Sequence, residues 1–175
     1  MDHVHYALSI GQNGMNGLHD IRFIHNPIPE TSLKDISLST RIGDLTMSSP
    51  ILINAMTGGA EETEVINYGL GLAAHETGIA MAVGSQMSAI RNHNLSTSYQ
   101  SARKANPNGI LFANLGSEAT PDQALRAIEM IQADAIQIHL NVVQELVMPE
   151  GDRSFKGMLQ RIESIAKRVE VPLIV

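Results

Sequence analysis

The stretch QIHLNVVQELVMPEGDR, residues 137–153, starts as an apolar strand and dissolves into side chains that hold ligands. His139, Asn141, Gln144 and Glu145 crowd the positions just before a Pro-Glu-Gly-Asp turn. A strand tip that only had to reach the next helix would need one cap residue and one turn residue. So many large polar groups at one tip point to something bound there.

Outward from this stretch the chain repeats one unit. The apolar runs ILINA, IAMAV, ILFAN, AIQIH and VPLIV begin at Ile51, Ile79, Ile110, Ala135 and Val171, with a helical pattern between each pair. The helix before AIQIH is signed by Thr120 as N-cap, Pro121 at its first position and Gln123 closing a capping box, with Leu125, Ile128 and Ile131 at helical spacing. The helix after Ser154 is expected to place Leu159, Ile162, Ala166 and Val169 on one face. Strands apolar on both faces, alternating with amphipathic helices, make a parallel sheet joined by right-handed crossovers. Ahead of them, residues 37–50 predict a short hairpin turning at Ile42-Gly43-Asp44. The domain reading is therefore an N-terminal segment and hairpin over residues 1–49, then βα units over residues 50–175.

The strand tips bear on whether the sheet closes. Rich tips follow ILINA (Asn54 through Gly59), IAMAV (Gly84, Ser85, Gln86), ILFAN (Asn114, Leu115, Gly116) and AIQIH (His139 through Glu145). A barrel collects every C-terminal strand end into one site, whereas an open sheet concentrates its ligand groups at one crevice. The fold class expected is thus α/β, a TIM (β/α)8-type barrel. Such a barrel takes eight strands and typically about 250 residues. The expectation is the first half of one, four βα units and the start of the fifth strand, plus an N-terminal extension, and an isolated 175-residue chain without activity.

Composition narrows the function. With 43% hydrophobic residues the chain can bury a core. A net charge of −6 disfavours nucleic acid and anionic membranes as general partners, and aromatics at 3% with no Trp disfavour base-stacking modules. No run reaches membrane-spanning length and the opening residues lack a signal-peptide pattern, so a cytoplasmic location is expected. The absence of cysteine removes disulfides, thiolate nucleophiles and Cys-ligated metal. The nine methionines read as core and loop filler.

One motif is set aside. Gly69-Leu70-Gly71-Leu72-Ala73-Ala74 matches the dinucleotide pattern, but it lies inside a helical pattern in which Val65, Ile66, Gly69, Leu72 and Ala73 share a face. No Asp or Glu occurs between Glu76 and Glu118 to hold a ribose. That acid-free stretch holds Arg91, Arg103 and Lys104, a local positive potential suited to a phosphorylated ligand. Arg103 and Lys104 read as a solvated basic face, and Arg91, in a tip loop, as the candidate.

Taken together, INAMTGG, MAVGSQMSAIRN, ANLG and QIHLNVVQELVMPEGDR, in this order and with the opening HVHYAL and RFIHNPIPE, resemble type 2 isopentenyl-diphosphate isomerase, the flavin-dependent form. The resemblance covers essentially the whole chain. It implies interconversion of isopentenyl and dimethylallyl diphosphate by an allylic proton shift, with reduced FMN as acid-base group, NADPH as its reductant and Mg2+ on the diphosphate. It implies FMN contacts at Ala55, Met56 and Thr57, largely through backbone groups, and at Ser85 and Asn114. Gln144 would meet substrate, Glu145 would bind the metal, and His139 and Asn141 would orient substrate or flavin. Arg91 and His3 are further substrate candidates, and Asp152 and Arg153 are expected to pair with each other or cap the next helix. A homo-oligomer, tetramer or octamer, is also implied.

The sequence departs from the family pattern in two places. Met1 stands where members carry an Arg-Lys pair that grips the diphosphate, and the family's flavin-contacting lysine and glycine-rich phosphate loops would lie past Val175. Two other readings fit the residues: an FMN barrel of the hydroxy-acid oxidase kind, and a non-catalytic, flavodoxin-like flavin-binding module.

Overall fold

The computed structural model describes residues 2–11, 17–149 and 151–175, without the side chains of Asp2 and His3. The chain divides into two units, residues 1–38 and 39–175. The first holds helix α1 (Asp2–Ile10) and 3-10 turns at Leu18–Asp20 and Leu33–Asp35. Ser32 caps the second turn by accepting from the Lys34 amide at 3.3 Å. No described hydrophobic residue of this unit is buried.

The second unit opens with a hairpin, β1 (Thr40–Ile42) against β2 (Leu45–Met47), with Ile42 opposite Leu45. Gly43 takes φ 56°, the positive value that a two-residue hairpin turn asks of its first position. Then follow β3 (Leu52–Ile53), α2 (Thr63–Thr77), β4 (Ala80–Ala82), α3 (Met87–Arg91), a 3-10 turn at His93–Leu95, α4 (Thr97–Ala105), β5 (Leu111–Gly116), α5 (Pro121–Ile131), β6 (Ala135–His139), α6 (Val142–Val147), α7 (Met158–Ala166) and β7 (Leu173–Ile174). Strands β3 to β7 form one parallel sheet in chain order. No described helix is long and apolar enough to cross a membrane.

The pleat gives the sheet two unlike faces. Met81, Val83, Leu111, Ala113, Leu115, Ile136 and Ile138 form one core with Ala74, Ala102, Ala124, Ala127, Ile131 and Ile165, so α2, α4, α5 and α7 all cover that face. Ala80, Ala82, Phe112 and Ala135 point the other way and pack with Met47 of the hairpin. Along this second face the apolar residues give way, toward the strand ends, to Asn114, Gln137 and His139.

The half-barrel expectation is corrected here: the sheet is open, five-stranded and parallel, with helices on one face and a hairpin on the other. The inference failed for a geometric reason. In any parallel sheet all C-terminal strand ends lie along one edge, so rich tips on every strand do not distinguish closure from an open sheet.

The capping box of α5 forms as its sequence predicts: the Thr120 hydroxyl accepts from the Gln123 amide at 3.3 Å and the Gln123 side chain from the Thr120 amide at 2.8 Å. Helix α2 rotates from the expected face. It buries Thr63, Asn67, Gly71 and Ala74 and leaves Val65 78% exposed. Gly71 sits against α4, where a Cβ would lie 2.8 Å from the Ala102 carbonyl oxygen, so the small residues of this segment serve close packing. Helix α7 likewise packs through Ile162 and Ile165, with Leu159 outside. For α2 periodicity alone picked the wrong stripe; for α7 the expected Ile162 and Val169 do pack on the core, and the stripe is off at Leu159.

Candidate functional site

The C-terminal edge of the sheet gathers most of the residues singled out from sequence. After β3 the chain runs through Asn54, Ala55 and Met56 to Thr57-Gly58-Gly59. Asn54 and Met56 are exposed, and Ala55 packs on the core of the hairpin face. Thr57 turns inward: its hydroxyl donates to the Asn67 side chain at 2.6 Å and its carbonyl accepts from the Gly84 amide at 2.9 Å. Backbone and the exposed side chains of Asn54 and Met56 remain for a ligand at this tip. Gly59, at φ 82°, cannot be replaced without strain, since a Cβ there would lie 2.1 Å from the Ser88 hydroxyl.

The second tip offers Ser85, whose side chain is exposed while its carbonyl is held by the Tyr99 hydroxyl. Gln86 is fully buried and structural. Its amide nitrogen donates to the Ala127 carbonyl at 2.9 Å, and its oxygen accepts from the Asn114 backbone at 3.0 Å. Arg91 is exposed at the end of α3 and makes no salt bridge among the described residues. The His3 side chain lies outside the described residues.

On the hairpin face, three side chains form a ladder across β5 and β6. Asn114, 3% exposed, donates to Gln137 at 3.2 Å and meets His139 Nδ1 at 3.0 Å. Asn114 is thus occupied by its neighbours, and the half-buried Gln137 and His139 carry the ladder outward. Gln137 was missed from sequence. Its signal was there, because Gln137 and His139 stand two apart in a strand otherwise apolar, which puts both on one face.

Beyond β6, Asn141 caps α6, accepting from the Gln144 amide at 3.1 Å, and its side-chain nitrogen donates to the Gln144 side chain at 3.0 Å. Glu145 is half-buried. One carboxylate oxygen accepts from the Asp152 amide at 2.8 Å, and the other has no partner among the described residues. Asp152 and Arg153 do not form the expected ion pair. The Asp152 carboxylate accepts from the Arg153 and Ser154 amides at 2.8 and 3.2 Å. Arg153 instead donates to the carbonyls of Met148, at 2.7 Å, Gly151, at 2.8 Å, and Glu145. The guanidinium closes the loop after α6 and so fixes where Glu145 points.

His139, Asn141 and Glu145 line one open cleft with Gly116, Glu118 and Phe155. Of these side chains the carboxylates of Glu118 and Glu145 are the oxygen donors a hard cation takes, and the imidazole is not. No three His, Asp or Glu among the described residues come together to hold a metal alone, so such an ion would need oxygens from its ligand. Glu118, the first acid after the acid-free stretch, was not read as part of the site.

Beneath the first two tips, burial raises the pKa of Tyr99 above 10.0, with the Ser88 hydrogen bond pulling it back in part. The phenol therefore stays a neutral donor at any physiological pH.

The chain is similar over its whole length to bacterial isopentenyl-diphosphate delta-isomerases. It is 57% identical to that of Bacillus mycoides strain KBAB4 and to that of Bacillus cereus strain ZK / E33L, and 56% identical to that of Bacillus anthracis strain A0248. Each match takes in 100% of this chain and 50% of the relative, so the chain spans about half the length of the curated relatives it matches. No family model matches. Among solved structures, a universal stress protein from Archaeoglobus fulgidus is 16% identical, aligned over 70% of this chain and 95% of its own, at a TM-score of 0.27. A universal stress protein in complex with cAMP is also 16% identical, over 70% and 91%, at 0.26. Likenesses at such scores carry no argument about fold or function.

The resemblance to the type 2 family is corrected accordingly. The relatives share the name isopentenyl-diphosphate delta-isomerase, which specifies neither type nor flavin, and the sheet is open where the type 2 reading implies a barrel.

Proposed function

We propose that this chain supplies part of an isopentenyl-diphosphate isomerase, and that the C-terminal edge of its sheet is its share of the active site. The observation that carries this is the cleft at the tip of β6, where Glu145 and His139 face the same opening on a chain so similar to isopentenyl-diphosphate delta-isomerases.

The reaction moves a proton across an allylic system: an unactivated alkene gains a proton at one carbon and a neighbouring allylic carbon loses one. Side chains of ordinary pKa do this poorly. Reduced FMN, kept reduced by NADPH, would supply the acid-base group when bound. The tips fit such a flat, partly apolar group in their donor set: Met56 presents apolar surface, Ala55 and Thr57 present backbone, and Ser85 presents an exposed hydroxyl. Asn114 would act from behind, holding Gln137 and His139 in place.

The residues of this chain then divide the remaining work. Glu145 would bind Mg2+ through its unpartnered oxygen while the diphosphate completes the shell. Gln144, oriented by Asn141, would meet the substrate, and His139 would orient substrate or flavin. Arg91 is proposed to draw in the diphosphate by charge.

The test is an isomerisation assay on the intact protein with isopentenyl diphosphate and Mg2+, with and without FMN and a reductant. Dimethylallyl diphosphate should form only when both are present. Turnover in flavin-free protein would remove the flavin from the account, and no turnover under any condition would remove the isomerase.

A further inference from the structure

A buried polar network lies under the tips of β3 and β4, and the proposed chemistry makes no use of it. Its centre is Asn67 on α2 and Tyr99 on α4, both fully buried. Asn67 accepts the Thr57 hydroxyl at 2.6 Å and donates to the Ser98 carbonyl at 2.6 Å. The Ser98 hydroxyl accepts from the Gly59 amide at 3.1 Å and donates to the Leu95 carbonyl at 2.9 Å. Tyr99 donates to the Ser85 carbonyl and takes its own hydrogen bond from Ser88 at 2.8 Å. Its ring lies directly under the first tip, where a Cβ on Gly58 would stand 2.0 Å from the ring edge.

Buried polar groups weaken a core unless each is satisfied, and apolar side chains could have filled the same space. Here three of the bonds reach the two tips, at the Thr57 hydroxyl, the Gly59 amide and the Ser85 carbonyl, and the Gly84 amide ties those tips to each other through the Thr57 carbonyl at 2.9 Å. Hydrogen bonds fix direction where apolar packing fixes only volume. We propose that Tyr99 and Asn67 are positioning residues, which hold the β3 and β4 tips in the one arrangement that receives the flavin. This rests on the flavin reading above.

Tyr99→Phe keeps the ring beneath Gly58 and removes only the hydroxyl. In the intact protein it should weaken FMN binding about tenfold, the worth of one well-made hydrogen bond. In flavin-free protein it should speed amide exchange at residues 57–59 and 84–86. Ser101→Ala is the control: it deletes a buried hydroxyl of the same helix that bonds the carbonyls of Glu64 and Ser98 and touches neither tip. Its FMN affinity should stay within about twofold of wild type. If Tyr99→Phe does not fold, Ser88→Ala leaves the phenol in place without its donor and should weaken FMN about threefold.

Wild-type protein that binds FMN, with a Tyr99→Phe variant equal to it in affinity and exchange, overturns the positioning role and leaves the flavin reading standing. Equal losses in Tyr99→Phe and Ser101→Ala also overturn it, since general destabilisation would then explain both. Wild-type protein that does not bind FMN removes the flavin reading and this proposal with it.

Discussion

The two ends of the parallel sheet differ in how much of their polar bonding capacity the fold consumes. At the end where β5 and β6 begin, Arg103 donates to the carbonyls of Ile131 at 2.9 Å, Gly109 at 2.7 Å and Gln132 at 2.7 Å, and pairs with Asp134 at 2.9 Å. The same Asp134 oxygen receives the Leu111 amide at 2.9 Å. Arg103 is a clamp and not the solvated basic residue its sequence context suggested. At the end where the strands finish, Ser85 and Met56 stand exposed, and Glu145 keeps one oxygen without a partner among the described residues. Charge at the first end is consumed by the fold, while the second end leaves side chains with bonding capacity over, as the proposed binding edge requires.

Substitutions at each end should sharpen that contrast. The largest effect is expected for Glu145→Gln in the intact protein, which keeps an oxygen to accept from Asp152 but loses the charge. The loss of transition-state stabilisation should be about 2–4 kcal/mol, with a weaker response to Mg2+ and little change in melting temperature. A full Mg2+ response in that variant would place the metal elsewhere.

Arg103→Ala should do the reverse. Loss of the clamp leaves several carbonyls without their donor and Asp134 with only the Leu111 amide, at roughly 2–3 kcal/mol of stability by denaturant titration. Flavin and substrate affinity measured well below the transition should hold. If affinity falls in step with stability, the two ends are not independent.

A smaller effect, about 1 kcal/mol of stability, is expected for Asn141→Ala, which removes the cap of α6. Asn141→Asp keeps an acceptor for the Gln144 amide but removes the donor that orients the Gln144 side chain. A KM increase in Asn141→Asp at unchanged melting temperature would separate orientation from capping; equal KM values would reduce Asn141 to a cap.

The smallest effect is a pH dependence. The Tyr99 pKa is raised by burial above 10.0, so below about pH 10 the phenol is protonated in folded and unfolded chains alike and its burial carries no proton-linked penalty. Above that value the unfolded chain ionises first, and stability falls as pH rises toward the folded-state pKa. Denaturation from pH 8 to 11 should show this slope in wild type and a shallower one in Tyr99→Phe. Identical slopes would mean that Tyr99 is not buried as described.

Much of this fold was legible in the sequence because its signals are local. Thr120-Pro121 and Gln123 dictate where α5 starts, and the apolar runs beginning at Ile110 and Ala135 become β5 and β6 almost residue for residue. Closure of the sheet was not legible, because rich tips follow from parallel strands whatever their end-to-end arrangement. The face of α2 was misread since several stripes are apolar enough to be buried, and the choice is made by neighbours such as Ala102 against Gly71. At the site, His139 and Glu145 were visible as polar residues breaking an apolar run. Tyr99 and Asn67 were not, because a lone Tyr or Asn in a helix announces nothing until the loops above it are in place.

The claim that the finishing ends of the strands form the binding edge is tested most directly by hydrogen exchange of the intact protein, with and without FMN, Mg2+ and isopentenyl diphosphate. Ligand should slow exchange at residues 55–59, 84–86, 114–118 and 139–145 and leave residues 103–111 and 132–134 unchanged. Protection centred on the Arg103 end, or spread evenly over both ends, would contradict it.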